Sequence, residues 1–229
     1  MYYSKRRLEK MMQDNNGTLD ISKTKITRLP RELEVKGDLI LNRYIKKLPD
    51  KLYIEGDLDL RETQVDLMDT SRLSVNGNLY TGPCTTGFKW CVDVGGDLDL
   101  RASELLQSIE SGCLVVMGNL YLGEKNRSIT SIKQTVGVNG DLVLRGSCVE
   151  QLSHGRMINA KNIDLSYSAV KKLPDDLVVY GDLNVSYTKL AEYPERMVVF
   201  GDLDVRGTGL PAQHDGIVVL GNIILDTDN

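Results

Sequence analysis

The sequence predicts a mainly all-β fold, a parallel β-solenoid of short coils, and three observations carry that reading. A stroke Gly-Asp/Asn-Leu-x-Leu begins at Gly17, Gly37, Gly56, Gly77, Gly96, Gly118, Gly140, Lys161, Gly181, Gly201 and Gly221, at intervals of 19 to 22 residues. Leucine or isoleucine stands two residues after every stroke position, and an aliphatic residue two further on in all but Thr81. A second alternation of aliphatics precedes most strokes, as in Leu33-x-Val35, Leu52-x-Ile54, Leu114-x-Val116, Leu177-x-Val179 and Ile217-x-Val219. Self-similarity at this period describes units that cannot bury an apolar face alone, so that neighbours stack into one continuous core.

The first sixteen residues do not repeat. Ser4 followed by Leu8, Met11 and Met12 predicts a short amphipathic helix that covers the first coil, so residues 1–16 are read as a capping segment and residues 17–229 as a solenoid of about ten coils. Nothing comparable follows Asp226, and the last coil is expected to be uncapped.

Within a coil, period-two alternation after the glycine means a strand with inward leucines and outward residues between them. Each first strand is expected to run about five residues. Equivalent positions return once per coil, so the strands pair in parallel, about 4.8 Å apart. The run before the glycine makes a second strand, and the glycine is the corner between them, where a side chain does not fit. Leu29-Pro30, Leu48-Pro49, Leu173-Pro174 and Tyr193-Pro194 stop ladder pairing and turn the chain. Seven residues after the stroke position a small polar side chain recurs (Thr24, Thr63, Cys84, Ser103, Ser147, Ser168, Thr188, Thr208), and its hydroxyl is expected to satisfy backbone groups in the turn, in a ladder from coil to coil.

The residue after the glycine alternates strictly from Asp57 through Asn78, Asp97, Asn119, Asp141 and Asn162 to Asp182. Two carboxylates about 5 Å apart repel by roughly 1–3 kcal/mol, and an intervening amide doubles their separation, so this is read as a structural column in the bend. Calcium needs more charge than alternating amides leave.

Coil 77–95 lacks Leu-Pro; there Phe88 and Trp90 are expected to plug the core, and Cys91 and Cys113 to be neighbours on adjacent coils. Four cysteines and two histidines, His154 and His214, form no CxxC pair and no zinc spacing, so no metal or other cofactor is expected. No phosphate loop, nucleophile elbow or dinucleotide fingerprint occurs, and the chain is read as non-catalytic. With no signal-like start and no run of eighteen apolar residues, it is expected to be cytoplasmic, with reduced thiols and no membrane association.

The pattern LxLxxTxIxxLPxxLxVxGDLxL, plain from Leu19 to Leu41 and from Ile163 to Val185, resembles leucine-rich repeats, closest to the short bacterial Leu-Pro class and to GDL-repeat proteins of phages and mobile elements. Thr or Ser stands where that family usually places its asparagine, and an asparagine ladder is expected to be missing. The resemblance implies a first-strand face that binds macromolecules, usually proteins, no shared catalytic residue, and an inhibitor of a bacterial defence or regulatory protein.

The outward first-strand positions repeat every second coil: Gly56-Asp-Leu-Asp-Leu-Arg61 returns at Gly96, and Gly77-Asn-Leu-Tyr80-Thr-Gly82 at Gly118. They form an expected partner-binding strip of Asp59, Arg61, Tyr80, Gly82, Asp99, Arg101, Tyr121, Gly123, Val143 and Arg145, rich in the residue types that dominate binding hot spots. The bland alternative is a set of cross-strand pairs serving only the sheet. Towards the carboxyl end the second strands turn apolar on both faces, and outward Val178, Tyr180, Val198, Phe200, Val218 and Leu220 predict an apolar ribbon that makes a homo-oligomer. Residues 1–51 hold 13 Lys+Arg against 7 Asp+Glu, which leaves 15 against 25 for the remainder. That basic end (Lys5, Arg6, Arg7, Lys10, Lys23, Lys25, Arg28, Lys46, Lys47), with Tyr80 and Tyr121 for stacking, supports the alternative of a nucleic-acid or nucleotide binder.

Overall fold

A computed structural model of the chain describes residues 3–88, 91–107, 109, 114–132, 136–152, 160–212 and 214–226. Eleven parallel strands, from Leu19–Asp20 to Ile223–Ile224, pair in strict chain order, so that each coil adds one strand to a single long sheet. The strands before the glycines form a second parallel face, six strands from Glu32–Val35 to Val136–Val138 and three from Leu177–Val179 to Ile217–Val219. Register is the one the stroke dictates: Leu58 lies beside Leu79, Leu79 beside Leu98, and Asp59 beside Tyr80. The all-parallel solenoid with two strands per coil is thus confirmed. Its regular pairing is shorter than expected, two residues per strand in the long sheet and three or four in the second, because the chain turns at both ends of each coil. A third, short ladder, Ser131–Ile132 beside Gln151–Leu152 and bridged to Lys172, was not foreseen.

The leucine columns are the core, with Leu19, Leu58, Leu79, Leu98, Leu120 and Leu183 completely buried. Thr81, the one polar residue in the second column, is equally buried; its Oγ1 donates to the Asp99 carbonyl at 2.9 Å and accepts from Ser103 Oγ. A buried hydroxyl with partners is tolerated where an orphan one is costly. Phe88 fills the core as expected, whereas Trp90 lies outside the described residues, as do Cys113 and His154. At the start, helix α1 (Lys5–Gln13) packs on the first strand through Leu8, with Met11 and Met12 beside it. Ser4 precedes it in extended backbone and accepts the Arg7 and Leu8 N–H groups through its carbonyl.

What joins coil to coil at the bend is the residue after the glycine. The Oδ1 of Asp38 accepts the N–H of Asp57, Asp57 serves Asn78, and the series continues through Asp97, Asn119, Asp141, Asn162, Asp182 and Asp202 to Asn222, with distances of 2.6 to 3.2 Å. The column expected at the bend is therefore a continuous acceptor ladder, and it explains the glycines. A Cβ built on Gly56, Gly77, Gly118 or Gly201 would collide with the side-chain oxygen of the preceding coil and with the backbone of its glycine, 2.6 to 2.7 Å away. Lys161 alone carries a side chain at this position, and its rung, Asn162 N–H to Asp141 Oδ1, is stretched to 3.2 Å while the Asn162 amide takes the same oxygen at 2.8 Å.

The turn hydroxyls satisfy backbone groups as expected, but chiefly within a coil and not as a continuous ladder: Thr24, Thr63, Thr188 and Thr208 each donate to the carbonyl three residues back, at 2.6 to 2.8 Å, and accept the N–H two residues on, while Thr24 Oγ1 also accepts from the Asn42 amide of the next coil. They close the turn of their own coil, because the carbonyl at the strand end is nearer than anything in the next. Among the described residues the asparagines at these turns form no ladder, but two of them tie neighbouring turns together. Asn42 is buried and its amide donates to the Ile21 and Ile26 carbonyls at 3.2 and 3.0 Å, and buried Asn126 serves Leu100 and Ser103 in the same way.

Candidate interaction surface

The turn that ends each first strand positions the outward residues. Asp59 Oδ1 accepts the Arg61 N–H at 3.0 Å, and Asp99, Asp164, Asn184 and Asp204 hold the residue two positions on in the same way. The outward carboxylates thus carry a structural duty, closing the turn from which the arginine projects. That arginine folds back on its own aspartate: Arg61 Nη2 meets Asp59 Oδ2 at 2.6 Å, Arg101 meets Asp99 at 2.7 Å, and Nε of each adds a second bond. Burial works to raise the Asp59 and Asp99 carboxyls, but hydrogen bonds from the Arg61 and Arg101 side chains and backbones outweigh it, and both sit below the usual carboxylate range.

Pinned in this way, each guanidinium lies over the tyrosine of the following coil: Arg61 is 4.6 Å from the Tyr80 ring centroid, Arg101 is 4.9 Å from Tyr121 and Arg145 is 5.0 Å from Tyr167. The predicted strip Asp59, Arg61, Tyr80, Asp99, Arg101, Tyr121, Val143, Arg145 is one contiguous surface in which arginine heads are exposed and tyrosine rings half-buried. Burial, and next the charge of Asp97, raise the Tyr121 hydroxyl above its ordinary value. Gly82 is buried under the Leu60 carbonyl, whereas Gly123 is half-open.

The strip runs further than the sequence suggested. Tyr167 and Tyr187 stack with centroids 4.9 Å apart and planes 13° from parallel, both about half exposed. Both adopt left-handed backbone, φ 58° and 56°, which side chains seldom do. Arg206, paired with Asp204, closes the far end, and Gly207 leaves the space that Tyr187 fills. Their signal was Ser166-Tyr167-Ser168 repeated as Ser186-Tyr187-Thr188, one position off the strand alternation.

The carboxyl-terminal ribbon is also assembled. Tyr180 and Phe200 stack at 5.9 Å, and Tyr180, Phe200, Val218 and Leu220 are 59, 47, 48 and 63% exposed, with Val178 and Val198 half-buried between them. The basic end is less free of partners: Arg7 lies over Tyr3 at 3.7 Å and Lys47 pairs with Asp50 at 3.7 Å. Tyr80 and Tyr121, offered there for stacking, already carry a guanidinium on one face.

Cys84, Cys91 and Cys148 are free thiols, and the His214 ring packs near Tyr193. Among the described residues no group of three or more His, Cys, Asp or Glu could hold a metal ion, and no helix is long and apolar enough to cross a membrane. Comparison with protein-family models, with curated proteins and with solved structures finds no match to this chain.

Proposed function

We propose that this chain is a non-catalytic scaffold that captures a protein partner on the arginine–tyrosine strip of its long sheet. One observation carries the reading: from Arg61 to Arg206 the outward side chains form a pre-ordered row of guanidinium and phenol groups, held by the coil itself, with the arginine heads exposed. Pre-ordering lowers the entropic cost of binding, and these two residue types dominate energetic hot spots. Replacing Arg101 and Tyr121 together by alanine is expected to abolish partner capture at half-molar salt while leaving the thermal midpoint nearly unchanged. Capture that survives the pair would overturn the assignment. Capture that oligothymidine competes away at stoichiometric concentration would favour nucleic acid.

The Leu-Pro and GDL stroke supports kinship with the short bacterial leucine-rich repeats and their phage and mobile-element relatives. On that likeness the partner is a bacterial defence or regulatory protein in the cytoplasm, inhibited by occupation of its surface. The exposed ribbon at Tyr180, Phe200 and Leu220 supports a homodimer.

A further inference from the structure

We infer that the strip takes an acidic, proline-rich segment in the polyproline II conformation, centred on Gly123 between Arg101 and Arg145; the inference rests on the protein-binding reading above. Spacing is the first argument. Arg61, Arg101 and Arg145 stand on every second coil, so successive guanidiniums are about 9.6 Å apart at about 4.8 Å per strand. A polyproline II helix repeats every three residues, about 9.3 Å, and drifts by only about 0.6 Å over the four coils from Arg61 to Arg145. An α-helix presents one face every seven residues, about 10.5 Å, and drifts about three times as far. A β-strand repeats a face every 6.7 Å or so and cannot meet the middle arginine at all.

Charge is the second argument. Arg145 has no carboxylate partner among the described residues, and its guanidinium is engaged only with the Tyr167 ring. Arg61 and Arg101 use Nε and Nη2 on their own aspartates, and Nη1 of each has no protein acceptor among the described residues. One carboxylate per two coils satisfies these donors. A nucleic-acid strand would bring about three phosphates over the same span, against arginines already half-neutralised by Asp59 and Asp99.

Room is the third. A Cβ on Gly123 would make only ordinary contacts with the Arg101 stem, 3.4 to 3.9 Å, and its backbone is not left-handed, so nothing in the packing demands glycine there. With no side chain at Gly123, a pyrrolidine ring can approach the backbone between Arg101 and Arg145, and the half-buried Tyr121 of the same coil is the aromatic side chain that proline-rich segments favour.

The test is fluorescence anisotropy with a labelled peptide of five Glu-Pro-Pro triplets and an isomer of the same composition with its glutamates clustered. The triplet peptide is expected to bind at least about tenfold more tightly, and Gly123→Leu and Arg145→Ala each to weaken it about tenfold with no change in urea midpoint. Equal binding of the two peptides, or a Gly123→Leu variant that binds as well as the parent, overturns the inference, as does displacement of the triplet peptide by a stoichiometric amount of oligothymidine. If no peptide binds while Arg101→Ala with Tyr121→Ala still abolishes capture of the protein partner, this inference falls and the protein-binding reading stands.

Discussion

The Oδ1 of Asp57 accepts the backbone N–H of Asn78 at 2.6 Å and fills the space that a methyl group on Gly77 would need. Gly77→Ala must therefore displace either the rung or the backbone of the coil before it, at about 1–3 kcal/mol, the usual cost of overpacking. Lys161→Ala stands at the same position of a rung that has already stretched, and should change stability by less than about 0.5 kcal/mol. Urea denaturation of the two variants checks the contrast; equal effects would show that the ladder oxygen does not dictate glycine.

Acid should loosen the strip before it unfolds the core. The carboxyls of Asp59, Asp99 and Asp204 lie below the usual range when folded, so the folded chain takes up their protons less readily than the unfolded one. Their contribution is complete above the ordinary carboxylate value, about pH 4, and is lost as pH falls through the lowered values. Chemical denaturation between about pH 5 and 2.5 should show stability falling as acid is added, and less steeply in Asp99→Asn. An identical slope in that variant would remove Asp99 from the account.

Tyr187→Gly trades two effects of similar size. It relieves the left-handed backbone, about 1–2 kcal/mol, and forfeits the stack on Tyr167, about 0.5–1.5 kcal/mol. The net change in stability is expected to stay within about 1 kcal/mol, whereas partner capture weakens. A large loss of stability with capture intact would make the tyrosine pair purely structural.

Phe200→Glu places a charge in the middle of the exposed ribbon. Sedimentation velocity should show the parent chain as a dimer at tens of micromolar and the variant as a monomer, with unchanged circular dichroism. A parent that stays monomeric at that concentration refutes the dimer.

The long sheet was legible because Leu19, Leu39, Leu58 and their successors repeat one residue type at one offset, and only parallel stacking buries them all. The bend ladder was half legible. Alternating Asp and Asn marked a column, but that each oxygen serves a backbone N–H some twenty residues on is a through-space fact that residue type does not encode. The threonines show the same limit from the other side: Thr63 could have bonded within its coil or across to the next, and turn geometry chose the Leu60 carbonyl. The strip from Asp59 to Arg145 was readable from its two-coil repetition, whereas Tyr167 and Tyr187 escaped because left-handed residues at the turn obey no strand alternation. Arginine closing on its own aspartate and on the next tyrosine merges the two readings that sequence had set against each other, since the pairs that brace the sheet also hold the exposed groups in place.

Apart from the rung at Lys161, the bend ladder looks the same from coil to coil, but the strip does not, and the two therefore count differently when the chain is shortened. Excising residues 96–117 would rejoin the bend ladder, with Asn78 serving Asn119 as it now serves Asp97, at the cost of the Asp99 and Ser103 partners of Thr81, yet it would set Tyr80 directly beside Tyr121 and leave no guanidinium between them. Excising residues 96–139 would bring Tyr80 next to Val143 and Arg145, the sequence of neighbours that Tyr121 has today. The bend ladder accommodates any whole number of coils, and the surface only even ones, so lineages that gain or lose coils should do so in pairs wherever the row of phenols is in use.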